Sequence, residues 1–225
     1  SNELLLRMSS FHMSGRLRRP IQVIEVREFG APRTESNRQN VFRLMAGGAL
    51  LLGAVYFGAL FVSNRRDVSP LLPTLLSLSV LAQLLAESIR FLVNYLYPFH
   101  IVRLRLILGF AGSSALLLVA YLAYRHARAG WRVLLSITAT LVALCVAFVP
   151  SYDGKTYAVM LVGLLVSGAS AVIGWRAKAP GARLMLALIA GSIALGVLNA
   201  FIFIDLAYYL AIVVLLFVLF AQQVV

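Results

Sequence analysis

Residues 157–175 read YAVMLVGLLVSGASAVIGW, with no charged side chain between Lys155 and Arg176. A helix of roughly 20 apolar residues crosses a bilayer core about 30 Å thick. The stretch therefore predicts a transmembrane helix. Six further runs of this kind lie at residues 41–62, 70–94, 104–124, 133–149, 184–204 and 206–220. The sequence predicts an all-α membrane protein, a bundle of seven transmembrane helices.

The composition supports a membrane protein. Of 225 residues, 61% are hydrophobic and 12% are charged, whereas soluble domains are about half apolar and a quarter charged. The charge is basic, with 20 Lys and Arg against 8 Asp and Glu, which in a soluble protein would suggest nucleic-acid binding. Here the basic residues lie in the N-terminal segment and in short gaps between apolar runs, so they indicate topology, and no nucleic-acid partner is expected.

The placement of Lys and Arg also predicts the orientation. The connections after the first, third and fifth runs hold Arg65, Arg66, Arg125, Arg128, Arg132, Arg176, Lys178 and Arg183. The alternate connections hold Arg103, Arg105 and Lys155. Because cytoplasmic loops are enriched in basic residues, the first set is predicted to be cytoplasmic. Seven spans then place the N-terminus outside and the C-terminus in the cytoplasm.

The two ends of the chain differ from its apolar middle. Residues 3–8 and 21–26 have the pattern of short strands, and Ser14 and Gly15 between them favour a turn. Two isolated strands are marginal in water, so residues 1–39 are expected to be the end of a β-domain and its linker. Residues 40–221 form the predicted membrane domain. The chain lacks an initial Met and its helical pattern runs to the end, so we expect a longer protein, with residues 222–225 starting a cytoplasmic helix.

Several stretches resemble one receptor family. They are residues 2–12 (NELLLRMSSFH) followed by Ser14-Gly15, residues 64–67 (NRRD) and residues 95–98 (YLYP). They are similar to the bacterial seven-transmembrane receptors with diverse intracellular signalling modules. The resemblance implies a multi-pass protein of the bacterial inner membrane, with a periplasmic jelly-roll domain upstream that binds a carbohydrate-like ligand. It also implies a cytoplasmic kinase, cyclase or phosphatase downstream, and a homodimer.

The second run holds a stripe of polar residues: Gln83, Glu87, Arg90 and Asn94. Their spacing of three and four residues places them on one face of a helix, and lipid cannot satisfy such a face. One interpretation is a ligand pocket or coupling network with Tyr95, Tyr97 and His100 at its rim. The other is a structural Glu87–Arg90 pair that fixes helix packing. Both interpretations stay open.

Further small and polar residues lie within the apolar runs. Asn199 in the sixth run predicts an interhelical hydrogen bond or, alternatively, a pocket contact. Small residues cluster at 47–48, 112–115, 167–170 and 191–192. Their expected role is close helix packing.

Two other function classes are alternatives to the receptor. A small-molecule or ion transporter could use the polar stripe, but no interrupted pair of helices accompanies it. The residues that intramembrane enzymes need are missing from the apolar runs. No run holds the His near a Ser of a membrane serine protease, and Cys145 is the single cysteine where a disulfide oxidase needs a pair. Lys155 and Lys178 lie in connections, whereas a retinal protein needs a Lys inside a late span. No catalytic residue, cofactor or metal site is therefore expected in this chain, although a downstream module could be an enzyme.

Overall fold

The computed structural model describes residues 34–92, 97–128, 130–199 and 209–218, and these residues form seven helices. They are α1 (Thr34–Ser63), α2 (Leu71–Leu92), α3 (Tyr97–His126), α4 (Trp131–Phe148), α5 (Tyr152–Arg176), α6 (Ala182–Asn199) and α7 (Tyr209–Val218). The predicted β segment and the C-terminal residues 219–225 lie outside the described residues. The expected linker before the first span is helical from Thr34 onward.

Five helices, α1 to α5, are long and apolar enough to cross a membrane. The chain is therefore a multi-pass membrane protein with an all-α fold over its described part. The apolar parts described for α6 and α7, Ala182–Ala194 and Tyr209–Val218, are shorter. Three helices begin earlier than their apolar runs: α1 at Thr34 instead of residue 41, α3 at Tyr97 instead of residue 104, and α5 at Tyr152 instead of residue 157.

The connections on either side of α5 are short and have defined ends. The side-chain oxygen of Ser151 accepts a hydrogen bond from the Gly154 N–H at 3.1 Å and caps the start of α5. The connection from α5 to α6 turns through Lys178 and Gly181, which have positive φ angles of 55° and 76°. A glycine adopts that conformation without a steric penalty. The turn after α5 reverses the chain, and α6 packs back against α5.

The closest helix packing is between α3 and α5. These two helices run parallel to each other, and α4 separates them in the sequence. A Cβ atom placed on Gly163 would lie 2.7 Å from Cβ of Ala115, and one on Gly174 would lie 2.7 Å from Cβ of His126. Both pairs have the same offset along the chain and are separated by about three helical turns. The backbones can approach this closely because α5 presents glycines there.

Glycines of α1 also face neighbouring helices. A Cβ on Gly47 would lie 3.4 Å from Leu84, and one on Gly58 would lie 3.6 Å from Thr74, which shows that α1 and α2 are antiparallel. Gly53 lies between them and faces two helices, α2 at Ser77 and α7 at Leu216. The expected role of small residues in close packing is thus confirmed for Gly47 and, on α5, for Ser167 and Ser170, which are fully buried. It is wrong for Gly48 and Gly191, where a Cβ would meet no described atom within 4 Å.

Candidate functional site

The predicted polar stripe of α2 begins in the packed interior. Gln83 is fully buried, and its Nε2 donates a hydrogen bond of 3.4 Å to Oε1 of Glu87, one helical turn later. Glu87 is half-buried. The four-residue spacing thus brings both side chains together as predicted.

Arg103 of α3 joins this pair, although its position in the sequence suggested a loop residue. Its side chain is 7% exposed, and one guanidinium nitrogen donates to the backbone carbonyl of Glu87 at 3.3 Å. α2 and α3 are also tied by the Ser79 hydroxyl, which donates to the Phe110 carbonyl at 3.1 Å. Gln83, Glu87 and Arg103 are called the polar cluster below.

The early start of α3 explains why Arg103 was missed. Pro98 lies in the first turn of the helix, where its missing N–H has no cost and its fixed φ suits the helix. A helix beginning at Tyr97 carries Arg103 into its second turn and onto α2. The available signal is the Tyr97-Pro98 pair, which can begin a helix as well as end the second span.

The structure describes only some of the other predicted site residues. His100 lies in the first turn of α3 and is partly exposed. Outside the described residues or side chains lie Arg90, Asn94, Tyr95, Tyr97 and Asn199. The Glu87–Arg90 pair, the aromatic rim and the Asn199 hydrogen bond therefore stay predictions.

One hydrogen-bond acceptor in the polar cluster has no donor within the described part of the chain. Gln83 Oε1 is buried and accepts no hydrogen bond from any described residue. A buried carbonyl without a donor costs about 1–3 kcal/mol. With the guanidinium of Arg103 nearby on α3, the cluster offers an acceptor and a cation to a polar ligand or a moving side chain.

Apolar packing closes the polar cluster toward the middle of the bundle. On α2 the next inward-facing residues are Val80 and Leu76, and on α3 they are Ile107 and Ala111, all of them buried. Ser77 is also buried, and its hydroxyl donates a hydrogen bond of 2.8 Å to the Pro73 carbonyl of its own helix. Among the described side chains of α2 and α3, the polar cluster is thus confined to the half nearest their connection.

Searches against protein families, curated proteins and solved structures give no match to this chain.

Proposed function

We propose that this chain is the membrane part of a signalling receptor of the bacterial inner membrane. In this proposal seven helices cross the membrane, with the N-terminus periplasmic and the C-terminus cytoplasmic. A preceding periplasmic β-domain of the jelly-roll type binds the ligand, and a cytoplasmic kinase, cyclase or phosphatase follows α7. The receptor acts as a homodimer.

The observation that carries the proposal is the position of Gly53 on α1. A Cβ there would lie 3.4 Å from Oγ of Ser77 on α2 and 3.6 Å from Leu216 on α7. α1 is the helix that follows the proposed ligand-binding domain, and α7 is the helix that precedes the proposed output. A shift of α1 would therefore act directly on α7 through this contact.

The polar cluster gives such a relay a second input. Arg103 connects α2 with α3 near the proposed periplasmic end, and Ser79 connects them near the middle of α2. α2 in turn packs along the glycine face of α1. A ligand can shift an equilibrium only by binding its two states differently. In our proposal the two states differ in how the Gln83–Glu87 pair and Arg103 share their hydrogen bonds.

The polar cluster is confined to one half of α2 and α3, which favours a relay over transport. A permeation path needs polar or open lining across the membrane, whereas Val80, Leu76, Ile107 and Ala111 close the interior beyond the cluster. We therefore place the polar cluster in coupling, and a transporter is the alternative outcome of the tests.

The first test is the sequence on either side of this chain in its gene. A jelly-roll domain upstream and a signalling module downstream are expected. A gene product that begins and ends with this chain would remove both the input and the output, and the receptor proposal with them.

The second test uses the full-length protein and the activity of its cytoplasmic module. Gly53→Leu is expected to uncouple ligand from output, because the larger side chain separates α1 from α2 and α7. Gly48→Leu is the matched control, since a Cβ on Gly48 meets nothing within 4 Å among the described residues. Equal responses in the two variants would contradict a relay through Gly53. Ion or solute flux into vesicles that is lost in Glu87→Gln would favour transport instead.

A further inference from the structure

A second buried polar group lies at the opposite end of α3, away from the polar cluster. The imidazole of His126 is 7% exposed, and neither of its nitrogens has a hydrogen-bond partner among the described residues. The ring is wedged against α5, since a Cβ on Gly174 would lie 2.9 Å from Cγ of His126. Such a ring needs a polar partner, because buried polar groups are almost always hydrogen-bonded.

His126 lines a cavity of about 470 Å³ between the ends of α3 and α5 and the start of α4. The walls of the cavity are apolar and include Val133, Leu134 and Ile173. Val133 and Ile173 are also exposed on the outside of the bundle, at 63% and 45%. Because they lie within helices that can cross a membrane, the cavity adjoins the space that lipid chains occupy.

The rim of the cavity is cationic. Arg128 lines it and is exposed, with its guanidinium 5.3 Å from the centre of the Tyr124 ring. Arg125, Arg132 and Arg176 lie at the same helix ends. Asp67 is the single acidic residue in the described parts of the three connections on this side, and its carboxylate already accepts the Ser69 N–H at 2.9 Å.

We infer that this cavity binds an anionic phospholipid. The phosphate accepts hydrogen bonds from His126 and Arg128 at the rim, and one acyl chain lies along Val133, Leu134 and Ile173. A basic rim above an apolar cleft between membrane helices is the arrangement that recognises anionic headgroups. A soluble anion would leave the apolar wall unused. The inference does not depend on the proposed receptor function.

The chain carries its own reporters for this site. Its two tryptophans are Trp131, which follows the lining residue Gly130 directly in sequence, and Trp175, which lies two residues after the lining residue Ile173. The chain is reconstituted into vesicles of phosphatidylglycerol and phosphatidylcholine in which one lipid or the other has brominated acyl chains. Bromine quenches tryptophan emission at contact, so the two series give the relative binding constant of the anionic lipid. Trp175→Phe isolates the signal of Trp131.

Wild-type protein is expected to select phosphatidylglycerol over phosphatidylcholine. One basic residue near a membrane surface changes anionic-lipid binding by about fivefold, so Arg128→Gln should lower the relative constant by about that factor. His126→Gln should lower it as well. Arg66→Gln removes the same charge from the α1–α2 connection, away from the cavity, and should leave the constant nearly unchanged.

Ile173→Phe tests the acyl-chain wall without changing a charge. It should narrow the cleft and reduce the selectivity, and as a substitution at a half-exposed position it is compatible with folding. An unchanged constant in Arg128→Gln, or an equal loss in Arg66→Gln, would overturn the inference in favour of diffuse attraction. Displacement of brominated phosphatidylglycerol by millimolar inorganic phosphate would reassign the rim to a soluble anion and overturn it too.

Discussion

The neighbouring helices α4 and α5 are both long and apolar enough to cross a membrane, yet 6% of the α4 span is buried against 50% of the α5 span. The difference follows from small residues. α5 turns Gly163, Ser167 and Gly174 inward, whereas Thr138 is the buried residue of α4. Since lipid is as apolar as leucine, close packing and not hydropathy decides which helix occupies the centre of a membrane bundle.

The largest expected effect comes from the same truncation made in both helices. Leu164 of α5 is 8% exposed and belongs to the core, whereas Leu144 of α4 is 46% exposed. Leu164→Ala leaves a cavity and should cost about 2–3 kcal/mol of unfolding free energy. Leu144→Ala should change it by less than about 0.5 kcal/mol. Unfolding in micelles measures both, and equal losses would break the contrast between α4 and α5.

A smaller loss is expected when a methyl group is added to the centre of the bundle. Gly163→Ala places a Cβ 2.7 Å from Cβ and 3.0 Å from Cα of Ala115, so α3 and α5 must separate. Overpacking of this kind costs about 1–3 kcal/mol. Gly109→Ala on α3 is the control, because its Cβ meets no described atom within 4 Å.

The same contact can be tested by compensation. Ala115→Gly removes the methyl group that opposes the new one, so adding it to Gly163→Ala should recover much of the lost stability. If the double variant is as unstable as the sum of the two single variants, the methyl contact is not the cause and the close approach of α3 and α5 is wrong.

The smallest effect should have the opposite sign. Gln83→Leu removes a buried carbonyl oxygen that has no donor in the described part of the chain, together with one hydrogen bond of 3.4 Å. An unsatisfied buried oxygen costs about 1–3 kcal/mol and a hydrogen bond contributes about 0.5–1.5 kcal/mol. Removing the oxygen should therefore outweigh the loss of one long hydrogen bond, and the unfolding free energy should rise by up to about 1 kcal/mol. Signalling by the full-length protein should be impaired.

Thr138→Val is the comparison for that substitution. Thr138 is equally buried, but its hydroxyl donates to the Leu134 carbonyl of its own helix at 2.7 Å. Removing a satisfied group should give no gain in stability. A gain as large as that of Gln83→Leu would show that burial alone, and not the missing donor, sets the sign.

Hydropathy alone located the seven helices of the described residues, because runs of apolar residues have few other solutions in a chain of this composition. The spacing of Gln83 and Glu87 likewise predicted a shared face, since that relation is local to one helix. Arg103 could not be placed in this way. Its contact with α2 depends on where α3 begins and how two helices align, and neither is encoded in the polarity of the residue itself.

Which helices pack against each other could not be predicted from the sequence either. Small residues at 112–115 and 167–170 predicted close packing, but each helix has several such faces. That Gly163 meets Ala115, and Gly174 meets His126, depends on a parallel arrangement across α4. The partner of a glycine is a property of the assembled bundle.

The common offset of those two contacts has a consequence for biosynthesis. α3 leaves the ribosome roughly fifty residues before the part of α5 that covers it, which corresponds to roughly 3–10 s at about 5–20 residues per second. During that interval α4 inserts into the bilayer, and the small-residue face of α3 is not yet covered by α5. A membrane chaperone or an insertase that shields this face would thus act between the third and fifth insertion events.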